Sequence, residues 1–282
     1  MRVITGLFVY PIKSCRGIDL SEATLDNRGL THDRRWMVVD TEGNFLTQRE
    51  HPVLARVIPR FLKDALTIEI QGDASMQVTI PRSSWEGSDR IPVTIWGDLA
   101  MGVDQGAEAN EFFSTLLHKP ARLVRMPEDE CRVPNRRPEG VNAHVGFADG
   151  YPLLVTTEES LAFLNEHLPV DQSAIPMARF RPNIVLRGAF SPWEEERWRT
   201  FRVNHILFYG IKPCERCSII QVDQRTGVRM GKSPLETLAK VHRVNKKPSF
   251  GINVIHATPG YLYVGAPVAP VEFDSAFDSS VL

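Results

Sequence analysis

Short apolar runs separated by turn signals dominate the first hundred positions. They predict strands over Ile4–Val9, Trp36–Val39, Leu66–Ile70, Met76–Ile80 and Pro92–Trp96. The punctuation is Asn27-Arg28-Gly29, Glu42-Gly43-Asn44, Gln71-Gly72-Asp73 and Trp96-Gly97-Asp98. Strands this short and this evenly spaced favour a barrel or sandwich. From Ala107 to His118 the period changes to that of a helix, with Phe112, Phe113, Leu116 and Leu117 on one stripe. Residues 126 to 150 carry no period; they hold Arg132, Arg136 and Arg137 among three prolines and predict a long loop. Such a loop is either a rim that meets an anionic ligand or a solvated excursion.

A second helix is expected from Thr156-Thr157-Glu158-Glu159, with Thr156 and Glu159 at capping-box spacing and Leu161, Leu164 and Leu168 buried. A third is expected at Ser233-Pro234-Leu235-Glu236, with Ser233 capping and Pro234 in the first turn. Strands are expected over Phe250–Ala257 and Tyr261–Val268, around the turn at Thr258-Pro259-Gly260, and the last dozen residues are expected to fray. Strands first and segregated helices later argue for a mainly β chain of α+β character rather than a doubly wound sheet.

The stretch Lys212-Pro213-Cys214-Glu215-Arg216-Cys217 holds two of the four cysteines, each with a basic neighbour. Apolar residues flank it, Val203 to Tyr209 before and Ser218 to Val222 after, which predicts strand, connection, strand. Nearby cations favour the thiolate, the form that binds metals and attacks electrophiles. Four readings are open: half of a four-ligand zinc site, a redox pair, buried structural thiols, or a metal held through one thiolate. Cys15 and Cys131 stand apart, and no compact His-x-His pattern completes a zinc set.

Composition narrows the classes. The 282 residues are 43% hydrophobic and 24% charged, enough for one large domain or two modest ones. A net charge of −1 points to neither nucleic acid nor a membrane surface. Arg outnumbers Lys 25 to 8. That bias follows either from a GC-rich genome or from selection for planar forks that grip phosphate and carboxylate. Sparse cysteines fit a reducing compartment. With no leader pattern and no apolar run long enough to span a membrane, a cytoplasmic location is expected. No Gly-x-Gly-x-x-Gly or Walker-type loop is present.

Three further segments can hold an anion. Tyr10-Pro11-Ile12-Lys13-Ser14-Cys15-Arg16-Gly17 follows the first strand and offers an ammonium, a hydroxyl and a guanidinium. Asp33-Arg34-Arg35-Trp36 and Phe180-Arg181-Pro182-Asn183-Ile184-Val185 add two arginines and an amide at strand starts. Together with the cysteine pair, Ser233 to Leu238 and Phe250-Gly251-Ile252-Asn253, these segments resemble the MOSC family in the expected order over residues 1 to about 270. The likeness is to the amidoxime-reducing members and their bacterial relatives.

The resemblance implies an N-terminal MOSC β-barrel domain over 1–120, a MOSC domain over 121–272 with the cofactor between them, and a tail over 273–282. It implies a molybdenum cofactor, with Cys217 as metal ligand. It implies that Lys13, Ser14 and Arg34 meet the cofactor's phosphate, that Arg181 and Asn183 line its pterin side, that Arg216 also binds the cofactor, and that Asp149, in Ala148-Asp149-Gly150-Tyr151-Pro152, assists protonation beside the metal. A family-level association with pyridoxal phosphate comes with it. The activity implied is reduction of small N-hydroxylated compounds such as amidoximes or hydroxylamino bases. A cofactor or sulfur carrier, with a persulfide on Cys217, is the alternative. Some relatives continue into a ferredoxin-like domain whose motif this chain lacks. Electrons are therefore expected from a separate ferredoxin-, flavodoxin- or cytochrome-type protein and its reductase. Glu215 stands where family members often have serine.

Overall fold

The computed structural model describes residues 1–82 and 89–274. Its centre is a closed ring of seven strands. Around the ring run Leu153–Thr157, Ile184–Arg187, Arg2–Val9, Pro267–Phe273, Trp198–Val203, Ile206–Glu215 and Lys247–His256. Pairing of Leu153–Thr157 with Lys247–His256 closes it, so these staves leave no open edge. Ile4, Leu7, Trp198, Phe201, Phe208 and Val254 fill the interior, each at most 1% exposed.

The first strand therefore crosses the boundary drawn at residue 120. Arg2–Val9 lies between Ile184–Arg187 and Pro267–Phe273, paired antiparallel with both. The rest of the N-terminal part is a half-barrel. One sheet runs Trp36–Val39, Arg122–Arg125, Asp98–Asp104, Arg90–Ile95; another runs Val57–Phe61, Ala65–Ile70, Asp73–Pro81. Helix α1 (Ala107–Leu117) contributes Ala109, Phe112, Phe113 and Leu117 to its core, beside Trp36, Leu66 and Ile68. The chain is mainly β with three α-helices among the described residues, as the pattern predicts. No helix among them is long and apolar enough to cross a membrane.

Several local expectations shift. The run Val203 to Tyr209 is not one strand, because Asn204 turns left-handed (φ 52°) and makes a hairpin between Trp198–Val203 and Ile206–Glu215. Ser218 to Val222 forms a 3-10 turn over Ser218–Gln221 instead of a strand, with Ile220 pinned in a side core by Phe180 and Phe250. Tyr261 to Val268 breaks at Gly265 (φ 95°) into Gly260–Tyr263 and Pro267–Phe273. Helix α2 (Glu158–Glu166) is capped one residue later than expected: Thr157 accepts from the Ser160 N–H, and Glu159 instead accepts from Gly188 N at 2.7 Å. Helix α3 (Leu235–Val241) has Pro234 at its cap position, and the Ser233 hydroxyl bonds Thr237 rather than the backbone. Residues 126–150 are irregular as predicted. Of the tail and the fraying end, residues 275–282 lie outside the described residues; Phe273 still belongs to the last strand.

Candidate active site

Two register shifts in one strand aim the cysteines. Ile206–Glu215 slips against Lys247–His256 between Gly210 and Lys212, and again between Pro213 and Glu215. Such bulges bend a strand and redirect its side chains. Gly210 permits the bend, since a Cβ there would lie 1.9 Å from the Trp198 carbonyl. The strand ends at Glu215, and Cys217 sits at the start of the following 3-10 turn. Cys214 is half-buried and accepts from Arg216 at 3.0 Å; Cys217 is exposed and faces a cleft.

That cleft encloses about 820 Å³ of empty space, counted out to its open mouth. All eight residues singled out in the sequence line it: Lys13, Ser14, Arg34, Asp149, Arg181, Asn183, Arg216 and Cys217. Five cations face two carboxylates there, counting Arg49 with the cations and Glu215 with the acids. Glu215 is held at the edge by Lys247, at 2.7 Å.

The cations are fixed by the fold. Lys13 is buried, with its ammonium on the Phe147 carbonyl at 2.8 Å and on the Asp149 carboxylate. Burial lowers its pKa, and Asp149 opposes that shift. Arg34 grips both oxygens of Asp33, at 2.8 and 2.6 Å, and also donates to Asn183 Oδ1. Arg34 and Arg181 both stack on Tyr10, at 4.2 and 4.3 Å from its centroid. Gly17 makes room for that ring, because a Cβ there would stand 2.6 Å from it. Arg181 also donates to the Cys15 carbonyl. Ser14, Arg34 and Arg181 all have left-handed backbones, at φ 66°, 46° and 55°. Non-glycine residues persist in that region where surrounding structure over-determines them, often at functional sites.

Asp149 is half open to the cleft yet surrounded by donors. Partial burial alone would raise its pKa. The Lys13 ammonium, a hydrogen bond from the Trp96 side chain and the Arg49 charge outweigh that and hold the carboxyl well below the usual carboxylate range. Asp149 is therefore an ionised acceptor at neutral pH. Arg132, expected as a rim or solvated charge, is neither. It is buried, paired with Asp98 and donating to the carbonyls of Gly146, Ala148 and Asp149, so it holds the loop that presents Asp149.

Two residues at the site carry no signal in the sequence. Arg49 sits in an irregular segment, and Trp96 belongs to a turn recognised only as punctuation. Among the described residues no three His, Cys, Asp or Glu side chains gather to hold a metal, so a four-ligand zinc site has no ligand set here.

Residues 1–120 match the MOSC N-terminal beta barrel domain, and residues 142–269 match the MOSC domain. The chain is 31% identical to mitochondrial amidoxime-reducing component 1 of Homo sapiens, over 94% of its own length and 82% of that protein's. It belongs to the MOSC family. This MOSC chain is equally similar, at 31%, to mitochondrial amidoxime reducing component 2 of Bos taurus, again over 94% and 82% of the two chains. It is 30% identical to the molybdenum cofactor sulfurase of Danio rerio, over 96% of its own length but only 34% of that protein's. It thus spans about a third of the sulfurase.

The donors of the cleft suit a thiolate-bound metal carried on a phosphorylated organic group. One exposed sulfur faces a cation-rich wall, and Arg216 Nε is buried there without a partner. A soft thiolate suits molybdenum, and clustered cations suit a phosphate.

Proposed function

We propose that the protein is a molybdenum-cofactor-dependent reductase of N-hydroxylated compounds, such as amidoximes or hydroxylamino bases, fed by a separate electron-transfer protein. One observation carries this reading: a single exposed thiol, Cys217, opens onto a cleft lined by Lys13, Arg34, Arg49, Arg181 and Arg216. The relatives named amidoxime-reducing component support it. In this reading Cys217 holds the metal, Lys13, Ser14 and Arg34 hold the phosphate, and Arg181, Asn183 and Arg216 face the pterin.

When bound, the cofactor supplies two-electron reduction at a metal. Cleavage of an N–OH bond to N–H and water consumes two electrons and two protons. Asp149, ionised, accepts a hydrogen bond from the substrate's N–OH or from water and so orients it. The protons enter from solvent through the open mouth, since Asp149 carries none at neutral pH.

Protein made in cells that synthesise the cofactor should contain about one molybdenum and one pterin per chain. It should reduce an amidoxime when given a reduced viologen dye. Full loading without turnover would sink the reductase reading. It would favour a cofactor or sulfur carrier with a persulfide on Cys217, a role that the likeness to molybdenum cofactor sulfurases supports.

A further inference from the structure

Arg49 lies outside the segments that point to the cleft, and the reaction above gives it no task. Its Nε donates to Cys217 Sγ at 3.3 Å, and its terminal nitrogen stands 3.6 Å from Asp149 Oδ2. Its backbone carbonyl accepts from Arg229 at 2.7 Å. One guanidinium from the N-terminal half thus meets both the sulfur and the acid of the other half.

Trp96 provides a second observation. Its ring lies 4.5 Å from the Arg49 guanidinium, and its side chain helps hold the Asp149 carboxyl low. Trp96 and Gly97 form the two-residue turn between Ile95 and Asp98, with φ 54° and 90°. A hairpin turn with both angles positive favours Asn, Asp or Gly at its first position. A bulky aromatic is strained there. The strain is tolerated at the one turn that clamps Arg49.

We propose that Arg49, clamped by Trp96, is a positioning residue for the Cys217 sulfur and sets how strongly that sulfur donates electrons to a bound metal. The proposal rests on Cys217 being the metal ligand. A hydrogen bond to a metal-bound thiolate withdraws electron density, and metal potentials move with such contacts. A nearby positive charge favours the reduced, more negative centre. Both effects raise the reduction potential, so removing Arg49 lowers it.

The test uses loaded protein from cofactor-producing cells: wild type, Arg49→Gln, Arg49→Lys, Trp96→Asn and Cys217→Ala. Metal per chain, melting temperature and the molybdenum midpoint, followed by the Mo(V) EPR signal, are measured. The midpoint is read on the loaded fraction alone, so partial loss of metal does not obscure it. Arg49→Gln should shift the midpoint to more negative potential, and Arg49→Lys should restore most of the shift. Trp96→Asn should raise the melting temperature by relieving the turn, yet move the midpoint in the same direction as Arg49→Gln. A merely structural clamp would lower the melting temperature and leave the midpoint in place. An unmoved midpoint in Arg49→Gln overturns the proposal while Cys217 remains the ligand. A wild-type Mo(V) EPR signal from loaded Cys217→Ala overturns the ligand assignment, and this proposal with it.

Discussion

Cys214 and Cys217 are three positions apart, and their surroundings separate them. Cys214 is half-buried against Arg216, whereas Cys217 opens to the cleft. Cys217→Ala should therefore abolish molybdenum-dependent turnover, because a methyl group cannot replace a thiolate bond, and Cys214→Ala should keep a substantial part. Near-wild-type turnover by loaded Cys217→Ala would refute the assignment. Lys13 already balances Asp149 within the cleft. Lys13→Ala removes a charge-assisted contact worth about 1.5–3 kcal/mol. That is roughly one to two decades in affinity. It also leaves Asp149 with only the more distant Arg49 charge near the phosphate, so the loss should reach the upper end of that range. Cofactor content per chain, measured beside turnover per bound cofactor, checks this; unchanged content would make Lys13 a mere structural charge. Seven of the eight cleft residues stood in compact segments singled out from their own chemistry, and Asp149 was reached only through the family resemblance. Arg49 was not legible, since its partners Asp149 and Cys217 are 100 or more positions away and only the folded chain brings them near.

The strand ladder was legible where an apolar run lay next to clear turn signals, as at Trp36–Val39 before Glu42-Gly43-Asn44. It failed at Ser218 to Val222, where the same apolar residues serve a 3-10 turn, because periodicity in five residues cannot separate the two. The connection before Trp198–Val203 hides a different feature. Glu194, Glu195 and Glu196 are consecutive, yet all are buried. Glu195 accepts from Thr157 and Ser160, and burial, with the neighbouring Glu196, pushes its pKa up to about 8. Its folded pKa thus lies above its ordinary value of 4.5. The neutral acid favours the fold fully below about pH 4.5, and that contribution is lost as pH rises through about 8. Glu195→Gln, which keeps the shape and cannot ionise, should flatten the fall of the urea midpoint between pH 5 and 8.5. Parallel curves for the two proteins would show that Glu195 is ionised in the fold. In the barrel wall, Gly210→Ala should destabilise by about 1–3 kcal/mol or more, since the clash is with backbone. Its urea midpoint measures this directly, and a wild-type value would mean that the bulge shifts freely.

At the scale of the molecule, the cleft draws its walls from both halves, and in the proposed reading electrons come to that mouth from a separate protein. The chain carries no dinucleotide-binding glycine motif and only four cysteines. The purified, loaded protein should not oxidise NADH or NADPH by itself, and should turn over only with a dye or with a reductase and carrier. NADH-driven turnover by the flavin-free polypeptide would reveal a missed redox centre. The seating of Arg2–Val9 between Ile184–Arg187 and Pro267–Phe273 bears on biosynthesis. A strand made early closes against one made late. At about 5–20 residues per second, its partner near residue 267 follows roughly 13–50 s later. Through that interval Ile4 and Leu7, which end fully buried, face a wall that is still incomplete. The nascent chain must carry this apolar stave with part of its edge open, paired first to Ile18–Leu20 and later to Ile184–Arg187, and the barrel closes at Arg2 and Val3 only when Pro267–Phe273 arrives.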